Sequence, residues 1–502
     1  MLGGRLVAAL AVVALAVPGA SLPVDEPDEP LPVMDRAWAD EYAWALVWST
    51  TNKDTLVAAL VGGAGMAGWA RDMIAAYEDG QAWARHDLAR ADRALLLERV
   101  VDVAGAAAPL GVASVPEPFV APLATVLGAQ ARERDVWPTL PHPEQRPFAF
   151  GHAQAELAGW MSGVLEVVIP EFRLAAGSSY IEEPILVDPV GLVILGGTGD
   201  DWYGVSSGDV RSTRPILVVE PGGHDEYYRD IATHGQWDVE ALPPSMQVID
   251  APTPAIGIDL AGNDLYTRRV AHTGFGGTMM VDVEGDDKYG AFHIRRAIAS
   301  ANLGYAQLVD KEGDDEYVAK EAAFGWAILG VGVLADREGH DSYVADVDSG
   351  GAEVLGVGHN VGALAIVRDF AGDDLYRSGV ISQGSANDDA FANFIDDSGD
   401  DTHFVHTTGE GSWGRKSVEE GGLQNAPTRR SLGHFVDGGG LDSYLYVNLL
   451  RPLDSFGNGV GSIAGGDGRR WGAFVDCSGT PDPLFPCAAE HEALLEDIVG
   501  DP

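Results

Sequence analysis

A chain of 502 residues with 46% apolar content has the composition of a folded protein and exceeds the size at which one hydrophobic core stops growing. Its 76 acids against 32 bases leave a formal charge of -44, which repels phosphate backbones, anionic lipid surfaces and polyuronates, so nucleic acid is excluded as a partner. The same excess destabilises a compact state by self-repulsion unless cations or high ionic strength relieve it.

Residues 1–20 place Arg5 before an apolar run from Leu6 to Val17 and small residues up to Ala20, the layout of a secretory signal peptide. The run is too short to span a bilayer, so the expected destination is secreted, periplasmic or cell-surface, in a bacterial setting, with no membrane span after removal of the signal. Residues 21–33 end in PVDEPDEPLPV, an exposed Pro-rich acidic linker. From 34 to 175 apolar residues recur at three-and-four spacing, as in DRAWADEYAWALVW and HDLARADRALLLERVVDVAG, and Pro116, Pro118, Pro138, Pro141 and Pro143 punctuate them; this predicts an α-helical domain. His152 and Glu156 share a helix face there, but no third ligand accompanies them, and HExxH and GxSxG are both absent.

From 176 to 476 the texture changes to short Val/Ile/Leu runs between Gly- and Asp-rich turns. VDVEGDDKYG at 281–290 returns as VDKEGDDEYV at 309–318, and the last acid of this motif can be followed through nine copies at Asp201, Asp225, Asp264, Asp287, Asp315, Asp341, Asp374, Asp401 and Asp442. The commonest interval is about 25 residues, too short for a propeller blade, and each copy has one apolar run entering and one strand-like run leaving. The predicted fold is therefore α+β: an N-terminal α-helical domain followed by a parallel, β-helix-like β-solenoid of about nine coils, with equivalent residues about 4.8 Å apart and a ladder of stacked tyrosines.

Glycine supplies the turn and Asp bonds nearby backbone N–H groups, yet Asn or Ser would make the same turns without setting like charges in columns. Most copies also carry an Asp five residues before the last acid. The candidate ligands are Asp259, Asp264, Asp282, Asp286, Asp287, Asp310, Asp314, Asp315, Asp336, Asp341, Asp369, Asp373, Asp374, Asp396, Asp400 and Asp401. Two readings account for them: a metal-free ladder of turns, or Ca²⁺ held between coils by an oxygen-only ligand set. EGDDKYG, EGDDEYV and AGDDLYR resemble the Gly-x-Asp-x-apolar half of the calcium-binding repeats of the repeats-in-toxin (RTX) family. That resemblance implies a parallel β-roll with Ca²⁺ between stacked turns, and it covers about eight residues of each copy.

Cys477 and Cys487 flank a Pro-rich loop, CSGTPDPLFPC, and predict a local disulfide within a cap over 477–502. The functional expectation is an exported structural or interaction module whose partner is an extracellular protein or glycan. The alternative is a carbohydrate-active enzyme, a glycoside hydrolase or lyase, on the same scaffold. Its site would lie in the insertions after Tyr227 or after Asp401, the latter holding His403, His406, Trp413, Arg415 and Lys416. Acids that recur in every coil argue against a single catalytic constellation, and none is evident.

Overall fold

The computed structural model describes part of residues 76–84 and most of residues 115–140, 147–187, 192–203, 215–234, 254–345, 358–407, 432–448, 451–457 and 471–476. The stretches expected to be a signal peptide and a linker, much of the helical region and both cysteines lie outside the described residues.

Among the described residues the solenoid has three sheets. The first has 11 strands and is built from the apolar runs that enter each motif; the second has 10 and is built from the runs that leave at the tyrosine. Strands such as Gly276–Val281, Gly304–Val309 and Gly330–Asp336 pair in parallel and in register, so that Gly276, Gly304 and Gly330 stack, as do Met280, Leu308 and Leu334. Met280, Leu308, Leu334, Val367, Phe394 and Phe435 point into the coil. Met279, Val281, Tyr305, Val331, Val333 and Leu364 point out, into a second core shared with helices. A sheet buried on both faces needs no polar alternation, which is why these strands read as unbroken apolar runs.

The helix α1, Glu117–Val136, and the helix α2, Pro147–Ala176, supply that cover. Pro118 sits in the first turn of α1, where a missing N–H costs nothing, and Gly177 closes α2 by donating its N–H to the Arg173 carbonyl. Gly159 of α2 lies where a Cβ would collide with the Tyr77 carbonyl, so the helical stretch near residue 77 crosses at backbone contact. The helical layer is thus packed on the solenoid: Gln307 donates to the Ala158 carbonyl (2.7 Å) and Tyr305 donates to Glu133 (2.6 Å). Among the described residues no helix is long and apolar enough to cross a membrane.

The third sheet, six-stranded, was not foreseen. Its members Ile231–His234, Val270–Thr273 and Ile298–Ala301 are short and rich in small residues, and each has an alanine with positive φ at its second position (Ala232, Ala271, Ala299 at 45°, 49° and 46°). Alanine adopts that conformation at a cost of about 1–2 kcal/mol, and no periodicity signals it. The third sheet also corrects the coil count. All nine motif copies place a strand in the second sheet, but only six coils, not nine, are closed by a strand in every sheet among the described residues.

Each end of the array carries an antiparallel strand. Ile185–Val187 pairs with Leu192–Leu195 at one edge of the first sheet, and Arg451–Gly457 pairs with Ser443–Asn448 at the far edge of the second. Such strands interrupt the parallel template and discourage edge-to-edge growth. Trp471–Asp476 continues the first sheet beyond the last motif, with Asp476 in register with Asp437.

Candidate metal centre

Two columns of carboxylates run inside the solenoid and a third along its rim. Each motif turn is tight because its glycine permits it. Gly313 has φ +156°, and a Cβ there would fall on the Gly285 carbonyl oxygen of the preceding coil. Stacking at this distance fixes where the following acids point.

The rim column holds the first acid of each motif. Asp286 and Asp314 are exposed, and each accepts the backbone N–H of the next coil: Asp314 N–H to Asp286 Oδ1 at 3.1 Å, His340 N–H to Asp314 Oδ1 at 2.9 Å, and Asp400 N–H to Asp373 Oδ1 at 2.9 Å. His224 and His340 do the same work through Nδ1, accepting from Asn263 and Asp373 at 2.9 and 2.8 Å. Histidine in this position therefore keeps the turn chemistry, which needs only an acceptor. Asp286, Asp314, Asp373 and Asp400 are thereby placed on the rim, apart from the buried acids.

The turn column is the last acid of each motif, buried in every copy but the first, where Asp201 is half-buried. Here the direction of the hydrogen bond reverses: Oδ1 accepts from the preceding coil, as in Asp264 N–H to Asp287 at 2.5 Å, Asp287 N–H to Asp315 at 2.6 Å, and Asp315 N–H to Asp341 at 2.7 Å. The inner column is the acid five residues earlier, at the end of each first-sheet strand: Asp259, Asp282, Asp310, Asp336, Asp369 and Asp396, with Asp437 beyond them, all 0–1% exposed. Glu220 extends it by one coil. Spacing arguments missed it because the residue type changes; its longer side chain fills the space left by Gly196 of the coil before.

Tyrosine completes the arrangement. Tyr203, Tyr227, Tyr266, Tyr289, Tyr317, Tyr343 and Tyr376 stack inside the second sheet with centroids 4.5–5.0 Å apart and planes within 13°. Their hydroxyls reach the inner acids. Tyr289 lies 2.8 Å from Asp282 Oδ2 and 2.6 Å from Asp310 Oδ2, Tyr317 donates to Asp336 (2.6 Å), and Tyr343 donates to Asp369 (2.8 Å). Burial and the adjoining carboxylates hold these phenols well above their ordinary range, so they remain neutral donors.

Seven of the buried carboxylates have one oxygen held by a protein donor and the other without one, whereas Asp282 has both held, Oδ1 by the Val283 N–H and Oδ2 by the Tyr266 and Tyr289 hydroxyls. Asp225 Oδ2, Asp259 Oδ1, Asp264 Oδ2, Asp310 Oδ1, Asp315 Oδ2, Asp336 Oδ1 and Asp341 Oδ2 are buried with no donor reaching them. The buried acids gather in triads, each residue offering one carboxylate oxygen within 4.8 Å of the others: Asp225, Asp259 and Asp264; Asp264, Asp282 and Asp287; Asp287, Asp310 and Asp315. Asp264 and Asp287 each belong to two triads, so the sites form a continuous file. Burial first, then the surrounding carboxylates, push Asp287 up to about 11, Asp315 to about 12, Asp341 to about 9, and Asp264 and Asp401 to about 8. Only a shared proton or a cation makes such contacts favourable.

His403 does not belong to the insertion that follows Asp401. It is buried in the ladder itself, stacked on Tyr376 at 4.7 Å in the place a tyrosine would take. Of the other insertion residues, His406 lies within the strand Thr402–Thr407, and Trp413, Arg415 and Lys416 lie outside the described residues, as does the disulfide expected of Cys477 and Cys487. Comparison of the chain with family models, with curated proteins and with solved structures returned no match.

Proposed function

We propose that this protein is an exported structural module whose acidic β-solenoid is stiffened by Ca²⁺ filed along the two buried carboxylate columns. The observation that carries the reading is the division of labour on Asp259, Asp264, Asp310, Asp315, Asp336 and Asp341, each with one oxygen fixed by a tyrosine hydroxyl or a backbone N–H and the other buried without a donor. Orienting groups behind a ligand are what a metal site requires. A well-formed coil supplies two buried carboxylates, so one divalent cation per coil neutralises the file. Carboxylate oxygens bound to one Ca²⁺ at 2.3–2.6 Å lie no more than about 5 Å apart, a limit within which the triads fall. The acidic turn that resembles RTX repeats supports the same ion. The leader-like residues 1–20 support export to a medium where Ca²⁺ is abundant.

The outer face of the second sheet is the part offered to a partner. It carries Trp202, 71% exposed, in edge contact with Tyr228 at 5.7 Å, a pair suited to the apolar face of a neutral glycan or to a protein aromatic. Thermal unfolding of the mature protein in Ca²⁺ and in chelator tests the cation. A cation at a hundred times its dissociation constant adds about 2.7 kcal/mol per site, so several sites raise the melting temperature visibly. Identical curves in Ca²⁺ and in chelator would leave the acids as turn formers and end this reading.

A further inference from the structure

One coil departs from the all-oxygen chemistry of the columns. At His403 the ladder has an imidazole in place of a phenol, with its plane within 10° of Tyr376, so the stack continues while the chemistry at its edge changes. In the tyrosine coils the ladder hydroxyl reaches the inner carboxylates, as Tyr289 reaches both Asp282 and Asp310. Imidazole is shorter and carries nitrogen. Asp396 is 0% exposed, and no donor reaches either of its oxygens; Asp401 Oδ2 is likewise buried without one. Ligand atoms of Asp396, Asp401 and His403 lie within 4.8 Å of one another, and His403 Nε2 is 3.3 Å from Asp437 Oδ2.

We propose that His403, Asp396, Asp401 and Asp437 form a closed structural site for one d-block divalent cation of the Zn²⁺ type, which takes the place of Ca²⁺ at this coil of the file. Imidazole nitrogen suits Zn²⁺, Fe²⁺, Ni²⁺ or Cu²⁺ and is not a ligand Ca²⁺ selects. Bonds of 2.0–2.1 Å in a tetrahedron place ligand atoms about 3.3–3.4 Å apart, and the separation of Nε2 and Oδ2 at 3.3 Å falls there. Four protein ligands with no open position make a site that holds coils together rather than one that activates water. It ties the first-sheet strands Phe391–Asp396 and Leu432–Asp437 across the long interval between their motifs.

The full-length mature chain, stripped with chelator and returned to excess Ca²⁺, is titrated with Co²⁺ as the probe, and the visible absorption is read. One equivalent giving the intense bands of four-coordinate Co²⁺, competed away by Zn²⁺ but not by Ca²⁺, is the expected result. His403→Tyr restores the residue the ladder uses elsewhere, so it should fold and stack while the bands disappear; Asp396→Asn should weaken them independently. An absence of bands in the wild type, as expected if His403 does no more than pair with Asp437, overturns the site, and so do equal bands in His403→Tyr. The proposal does not rest on calcium: His403→Tyr should keep the full response of the melting temperature to Ca²⁺, so the two can fail separately.

Discussion

Asp287→Asn separates a metal ligand from a turn former by the sign of its effect. Asn keeps an oxygen for the Asp264 N–H, now 2.5 Å from Asp287 Oδ1, so the turn survives the exchange. What changes is the charge shared between the triads with Asp264 and Asp282 and with Asp310 and Asp315. Two carboxylates about 4.8 Å apart repel by about 0.9 kcal/mol at the dielectric of water and about 3.5 kcal/mol at an effective value of 20. Without metal, the native Asp costs that repulsion or the proton taken up to avoid it, so in chelator the variant should be the more stable by about 1–3.5 kcal/mol. In Ca²⁺ it forfeits a ligand common to two sites, each contributing about 2.7 kcal/mol at a hundredfold excess over the dissociation constant, and should be the less stable. Urea unfolding in both conditions, followed by circular dichroism, reads the difference directly. A shift of the same sign and size in Ca²⁺ and in chelator would falsify the ligand role.

Gly313→Ala should cost more than 3 kcal/mol or prevent folding, since its Cβ meets the Gly285 carbonyl oxygen, whereas Gly199→Ala, with nothing within 4 Å, should melt like the parent; equal effects would contradict the backbone stacking. Tyr289→Phe keeps the ring in the stack but removes the hydroxyl shared by Asp282 and Asp310, and should lower unfolding free energy by about 1–3 kcal/mol in chemical denaturation. Burial pushes Glu133 up to about 8, against the hydrogen bonds of Tyr305 and Trp137, from an unfolded value near 4.5. A raised folded-state value gives stability that is complete below about pH 4.5 and is lost as pH rises toward and through 8. Relative to Glu133→Gln, the parent should therefore lose on the order of 5 kcal/mol across that window, and a difference between the two that stays flat with pH would show the group solvated.

The repeat was legible because its constraints are local. A turn that stacks at backbone contact demands Gly, the acceptor positions demand Asp, and the residue two positions on must face inward, which is how the tyrosine ladder follows from the sequence alone. The inner acids at Asp282 and Asp310 share that legibility through their fixed offset. Their direction did not: nothing in the spacing shows that Asp286 and Asp314 face water while Asp287 and Asp315 are buried, because that depends on which side of the turn each coil is donated its N–H. The third sheet escaped because Ala271 and Ala299 carry no alternation, and among the described residues it closes six coils. Glu220 and His403 escaped because each fills a column position with a different residue type. The helical layer was read as a separate domain because an apolar run does not show what covers its outer face, here α1 and α2.

The central claim is that cations lie in the buried file and not on the rim. Crystals grown with Ca²⁺, or with Tb³⁺ in its place, and measured for anomalous scattering locate the ions directly. The account predicts peaks enclosed by Asp264, Asp282 and Asp287 and by Asp287, Asp310 and Asp315. Peaks confined to the exposed Asp286 and Asp314, or carboxyl oxygens paired at proton-sharing distance with no ion between them, would contradict it.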